Sequence, residues 1–310
     1  MPVTALNKNK QTVRGTGIGL RTPHIKQLLE QDWEIPWLEI LTDNFIANGN
    51  LLSDTNMDLT LLDAICERYP VTLHGVNLSL GGVTPLDMDY LKAVKQLSNR
   101  TAANWISEHA CFSRNTTYQS HDLLPLPYTS EAVTHMANRI AQVQDFMGEQ
   151  ILLENVSAYL SYQSSEMTEG EFLAEVVEQA DCLLLLDVNN AYVNAYNLGD
   201  AHDSYNSCEA FFAALPLHRV REIHLAGFAD KGDYLLDAHN NSVADNVWAL
   251  YQALMGQLSA EQLTDIPTLI EWDNDIPELE VLIAEARKAD CYASGKTDPE
   301  HTHKEIELPL

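Results

Sequence analysis

The chemistry in this chain is carried by acidic and imidazole side chains that close apolar, β-prone runs: Leu38-Glu39, Leu73-His74, Ser107-Glu108-His109, Leu153-Glu154, Leu186-Asp187, Ile223-His224 and Ile270-Glu271. Carboxylates and imidazoles are ligands for iron, manganese and catalytic zinc. The absence of thiolate from the pattern disfavours structural zinc and iron–sulfur clusters. Asp237 and His239 add a D-x-H pair in a loop, a spacing that in an extended segment points both side chains to one side. Burying so many such groups together is unfavourable unless cations compensate them. The imidazoles of His74, His109, His224 and His239 and the carboxylates of Glu154, Asp187, Asp237 and Glu271 exceed what one ion can use. Two or three ions, bridged by a carboxylate such as Glu154, is the economical reading. Glu39, Asn155 and Asn189 are placed as hydrogen-bonding supports for the ligands. Glu108, adjacent to His109 on a strand, is expected to point the opposite way and stays outside the set.

These residues recur roughly every 33 to 47 positions, the length of one strand, one helix and two loops. The spacing predicts strands at 15–20, 36–41, 71–75, 103–109, 150–154, 182–187, 221–226 and 267–272. Their apolar runs are continuous, as in parallel strands covered on both faces. Helical patterns fall between them, at 58–65, 91–97, 132–146, 168–180, 243–258 and 278–289, the fourth opened by a capping box at Thr168. Eight alternations point to a single (β/α)8 TIM barrel, whose chemistry sits at the carboxyl ends of its strands, with an open doubly wound sheet as the alternative. The barrel is placed at 13–290, between an N-terminal tail, 1–12, and a polar C-terminal tail, 291–310. Two long loops are expected, Cys111 to Ser130 and Asn189 to Ser207. The glycines of Gly15-Thr16-Gly17-Ile18-Gly19-Leu20 read as a tight barrel strand, because a dinucleotide loop needs a different context. Cys111 is taken as a buried thiol, and His301 and His303 as residues of a solvated tail.

The 310 residues are 45% hydrophobic and 20% charged, values of a globular chain. A formal net charge of −27, spread along the chain, repels phosphate backbones and excludes nucleic acid as the expected partner. Five scattered cysteines without a CxxC pair suit a reducing compartment. There is neither a signal-peptide pattern nor a run long enough to cross a bilayer, so a cytoplasmic protein with no membrane partner is expected.

The ordered segments GIGLRTPH, WLEILTDNF, LHGVNLSLG, ISEHACFS, DLLPLPYT, LLENVSAYL, LLLDVNNAYVNAYN, EIHLAGF, LDAHNNSVADNVWALY and LIEWDNDIP resemble the DUF692 family, also called UPF0276, over about residues 13 to 289. The resemblance implies a TIM-barrel, multinuclear non-haem iron enzyme (MNIO) with two or three ions in mixed Fe2+/Fe3+ states. With dioxygen as co-substrate, it would oxidise a residue of a ribosomally made precursor peptide: cysteine, or aspartate or asparagine. It also implies a small partner protein that engages the peptide's leader. The family's iron positions carry over to His74, His109, Glu154, Asp187, His224, Asp237, His239 and Glu271. Two departures stand out: Phe228 occupies a position where the family usually has histidine, and Leu41-Thr42-Asp43-Asn44 stands where many members have Glu-Asn. The residues alone leave open a divalent-metal hydrolase or isomerase on a xylose-isomerase-like barrel, and a metal-binding protein without catalysis.

Overall fold

The computed structural model describes residues 10–53, 57–115, 117 and 119–294. Eight parallel strands close into a barrel: β1 (Thr16–Gly19), β2 (Leu38–Leu41), β3 (Val71–Gly75), β4 (Ile106–His109), β5 (Leu152–Glu154), β6 (Leu183–Asp187), β7 (Val220–Ala226) and β8 (Thr268–Glu271). Neighbours in sequence are neighbours in the barrel, and β1 closes it against β8. Seven strands fall inside their expected ranges, and β7 begins one residue before its own, at Val220.

Strand alternation explains how one sequence serves two apolar surfaces. Outward residues such as Ile40, Leu73, Leu153, Leu186, Ile223 and Ile270 join the helices in the large core. A separate cluster of Val13, Trp37, Trp105, Leu152, Leu185 and Leu269 is buried apart from that core. Moving two residues along the strands from this plug leads to Glu39, Glu154, Asp187 and Glu271, and four residues from Trp105 lead to His109. The polar groups therefore stand on an apolar floor, at the carboxyl end of the barrel.

Gly17 and Gly19 are strand residues that make room for bulky neighbours. A Cβ at Gly17 would lie 2.5 Å from the Trp37 indole, and one at Gly19 would lie 2.5 Å from the Arg21 guanidinium. Thr168 caps the helix Glu169–Ala180 with the expected capping box, closed by Glu171.

The two long loops are more ordered than expected. Cys111 to Ser130 contains a hairpin of Phe112–Arg114 against Gln119–Leu124. The stretch from Asn189 to Ser207 is largely helical: Val188–Leu198 forms one helix, and Ser204–Ala214 begins another. Its asparagines hid the first helix, since asparagine is a weak helix former in isolation. Here the Asp187 carboxylate caps the helix through the Asn190 N–H, and Asn194 bonds the chain at Val156 and Ala158. The last helix, Leu279–Ala293, extends three residues past the expected barrel boundary at 290. His301 and His303 lie outside the described residues. No helix among the described residues is long and apolar enough to cross a membrane.

Candidate metal centre

Glu154, at the end of β5, is where the strand-end groups converge. Its Oε2 lies 3.3 Å from His74 Nε2 and 3.1 Å from His109 Nε2, and its Oε1 lies 3.7 Å from His224 Nδ1. Register brings these groups together, since His109 pairs laterally with Glu154 and Asp187 with His224. His224 Nδ1 also reaches Glu271 Oε2 at 3.1 Å. Two sets of ligand atoms result, His74–His109–Glu154 and Glu154–Asp187–His224–Glu271, each within 4.8 Å and sharing Glu154.

The D-x-H pair joins them by a different route from the one expected. His239 is in the left-handed region (φ 45°), so this segment is a turn and strand alternation does not apply. The His239 carbonyl accepts from Asp273 N at 2.8 Å and Asn274 N at 3.1 Å, which pins the turn against the end of β8. Gly227 makes this close return possible: a Cβ there would lie 2.1 Å from the Asn241 carbonyl oxygen. As a result, His239 Nε2 comes within 2.6 Å of Asp237 Oδ1, and Nδ1 within 3.5 Å of Glu271 Oε2.

The supports fix which nitrogen faces inward. His109 Nδ1 lies 3.0 Å from the Gly75 carbonyl, which can only accept, so Nδ1 carries the proton and Nε2 faces Glu154. His74 Nδ1 donates to Ser107 Oγ at 2.7 Å, and that hydroxyl donates onward to the Leu73 carbonyl at 3.3 Å. Asn155 and Asp187 bind reciprocally through Asn155 Nδ2 to Asp187 O and Asp187 N to Asn155 Oδ1, each 2.9 Å, and Asn189 Nδ2 donates to Asp237 Oδ1 at 2.8 Å. Glu39 sits below, its Oε2 3.4 Å from His224 Nε2. Glu108 points away, accepting from Leu78 N and His109 N at 3.1 Å each.

Four participants escaped the sequence reading. Asp273 Oδ2 lies 3.0 Å from His239 Nδ1, and the buried Arg21 guanidinium bonds Asp273 from the other side. Glu222 faces His224 Nε2 at 3.5 Å and accepts from Trp105 Nε1 at 2.6 Å. Ser107 is the fourth. The period-two pairs Glu222/His224 and Glu271/Asp273 were a usable signal for two of them, whereas nothing local marks Arg21. Phe228 stacks on Tyr192, with ring centroids 5.6 Å apart, and does not line the cleft above the site. Cys111 is also absent from that lining, and burial pushes its thiol well up.

Burial and mutual proximity shift the proton affinities of these groups in opposite directions. Burial pushes the Glu154 carboxyl up to about 8, although His109 and His224 pull it down, and burial pushes Asp187 and Glu39 up to about 7. Burial opposes charge on His109 too, yet Glu154 and Glu108 carry it up to about 9. His224 and His239 rise well above the ordinary range, burial being outweighed chiefly by Glu39 and Asp237 respectively. Burial and its imidazole neighbours hold His74 well below. Burial thus favours the protonated form of these carboxylates, a cost that a bound cation would relieve. Glu154 Oε2, Asp187 Oδ2, His224 Nε2 and His239 Nε2 are buried without a hydrogen-bond partner. His239 Nε2 and Asp237 Oδ1 are close without the geometry of a hydrogen bond, as expected of two groups aimed at a common ion. The residues fit a multinuclear metal centre.

Residues 15–294 match the profile of the RiPP precursor modification enzyme family MbnB/TglH/ChrH, whose substrates are precursors of ribosomally synthesised and post-translationally modified peptides. The chain belongs to this family. A UPF0276 protein of Acaryochloris marina is 44% identical over 281 residues, covering 90% of this chain and 95% of that protein. A second, from Anaeromyxobacter sp. strain Fw109-5, is 44% identical over 275 residues, covering 89% and 91%. Among solved structures, endonuclease IV from Thermus thermophilus aligns over 91% of this chain and all of its own, with a TM-score of 0.58 at 13% identity. A D-tagatose 3-epimerase-like protein aligns over 90% and 97%, at 0.56 and 15%. At such identity these two likenesses speak for the shared barrel alone.

Proposed function

We propose that this protein is an iron- and dioxygen-dependent enzyme that oxidises a residue of a ribosomally synthesised precursor peptide, cysteine being the first candidate and aspartate or asparagine the alternatives. The observation that carries the reading is the set of buried, unpartnered ligand atoms on Glu154, Asp187, His224 and His239, in a chain of a RiPP-modifying family. His74, His109, Glu154, Asp187, His224, Asp237, His239 and Glu271 would hold two or three iron ions, Glu154 belonging to two of the ligand sets. Iron bound there would supply redox chemistry with dioxygen, accepting electrons from the peptide residue.

The protein's own part is positioning. Gly75 and Ser107 fix the tautomers of His109 and His74, while Asp273, held by Arg21, orients His239. The Trp37, Trp105, Leu152, Leu185 and Leu269 floor keeps water from the lower side. Above the site a cleft of about 1150 Å³ opens to solvent, large enough for a segment of chain and lined by His74, His109, Glu154, Asp237, His239 and Glu271. A small leader-binding partner would deliver the peptide to this mouth.

The test is anaerobic loading with Fe(II), followed by incubation with cysteine-, aspartate- and asparagine-bearing candidate precursor peptides from the same genome and a candidate leader-binding partner, with the peptide mass read with and without oxygen. Modification is expected only with iron and oxygen together. An unmodified peptide from fully iron-loaded protein in air, or the same modification by zinc-loaded protein without oxygen, overturns the reading.

A further inference from the structure

The walls of the cleft carry more information than its floor. Tyr159 and Leu160 stand on the loop after β5, and Tyr234 stands in the hairpin of Ala229–Asp230 and Leu235–Leu236 after β7. All three line the cleft, yet they are 48%, 44% and 43% exposed, among the most exposed large apolar side chains described. The two tyrosine rings meet edge to face with centroids 6.3 Å apart, which makes a preformed aromatic corner. That corner touches the candidate metal loop, because the Tyr159 hydroxyl accepts from the Asp237 N–H at 2.9 Å.

The fixed charge of the described cleft lining, imidazoles aside, has one sign, and Lys231, exposed in the same hairpin as Tyr234, stands outside that lining. Aside from the imidazoles, the ionisable residues lining the cleft among the described residues are Asp122, Glu154, Asp237, Glu271, Asp273 and the two tyrosines, without a lysine or arginine. Arg21 lies buried behind the wall, bonded to Asp273. Metal ions would neutralise the ligands, but Asp122 stays exposed at the mouth, on a chain of net charge −27. Among the described lining residues an acidic segment finds no lysine or arginine to pair with, and a basic one is drawn toward Asp122.

Resting on the peptide-modifying reading, we propose that the cleft selects its substrate segment through two features: an apolar side chain beside the modified residue seats on Tyr159, Leu160 and Tyr234, and the flanking residues are neutral or basic. Tyr159 is then a specificity residue, with its ring toward the peptide and its hydroxyl toward the Asp237 loop.

The experiment titrates full-length, metal-loaded protein into three fluorescein-labelled octapeptides read by anisotropy: leucine between lysine flanks, alanine between lysine flanks, and leucine between glutamate flanks. The first is expected to bind about tenfold tighter than either of the others. Tyr159→Ala combined with Tyr234→Ala should erase the leucine-over-alanine preference, Tyr159→Phe should keep it, and Asp122→Asn should narrow the lysine-over-glutamate ratio. Equal binding of leucine and alanine peptides by the wild type, equal or tighter binding of the glutamate peptide, or no binding of any peptide overturns the proposal without needing a folded variant. Iron content measured on the same samples separates the two readings. Protein that takes up no iron on loading yet still discriminates the peptides removes the iron chemistry alone; loaded, active enzyme that does not discriminate removes this inference alone.

Discussion

Replacing Glu154 with glutamine separates the cost of burying a carboxylate from its use. Glutamine keeps the size of the side chain and resembles the protonated acid, the form that burial favours by pushing the Glu154 carboxyl up to about 8. The native chain therefore binds a proton that an unfolded glutamate, titrating near 4.5, has already released. Between those two values metal-free stability falls as pH rises, by about 1 kcal/mol per pH unit for this one proton. His109 acts in the same direction: its stabilisation is full below its unfolded value of 6.5 and is lost as pH rises through about 9. Metal-free wild type should thus lose several degrees of Tm between pH 6 and pH 8, since about 1 kcal/mol shifts a domain of this size by roughly 2–4 °C. Metal-free E154Q should melt at or above the wild type at pH 8, with a shallower slope. Adding Fe(II) anaerobically at about 1,000 times Kd stabilises by about 4 kcal/mol, or roughly 10 °C, in the wild type. In E154Q most of that gain should vanish, because six of the eight proposed ligands fall in the two ligand sets that share this residue. Differential scanning calorimetry with metal analysis reads both arms. Full metal content and an undiminished Tm gain in E154Q would refute convergence on Glu154, and a flat metal-free profile in the wild type would refute the buried-carboxylate argument.

Asp273→Asn keeps every proposed ligand but weakens the group that orients His239, so it should lower affinity for the ion at Asp237 and His239 by about 10–100-fold in chelator competition. Unchanged affinity would leave Asp273 without that role. Gly17→Ala places a methyl group 2.5 Å from the Trp37 indole and 2.8 Å from its carbonyl oxygen. It should destabilise by about 1–3 kcal/mol in urea unfolding, and a midpoint equal to wild type would show that Trp37 can move.

The barrel was legible because its physical cause is local and repeated. A parallel strand covered on both faces needs a continuous apolar run, and eight such runs alternating with amphipathic segments leave few other architectures. Their residue types also made Glu39, His74, His109, Glu154, Asp187, His224 and Glu271 visible, since each ends such a run or, like Glu39 and His224, interrupts it within two residues of its end. The helix Val188–Leu198 was not legible, because its stability comes from the Asp187 cap and from asparagine side chains that bond distant backbone. Arg21 and Asp273 are separated by most of the chain and become partners only where β1 closes against β8. The amino-acid pattern by itself determined which residue types arrive at the carboxyl rim, because the period of a strand is a property of the backbone. Only the closed tertiary structure decided which imidazole nitrogen faces inward, how the turn at His239 folds back over Gly227, and which carboxylates gather around His224. Those depend on distances of a few ångströms between segments that no local rule relates.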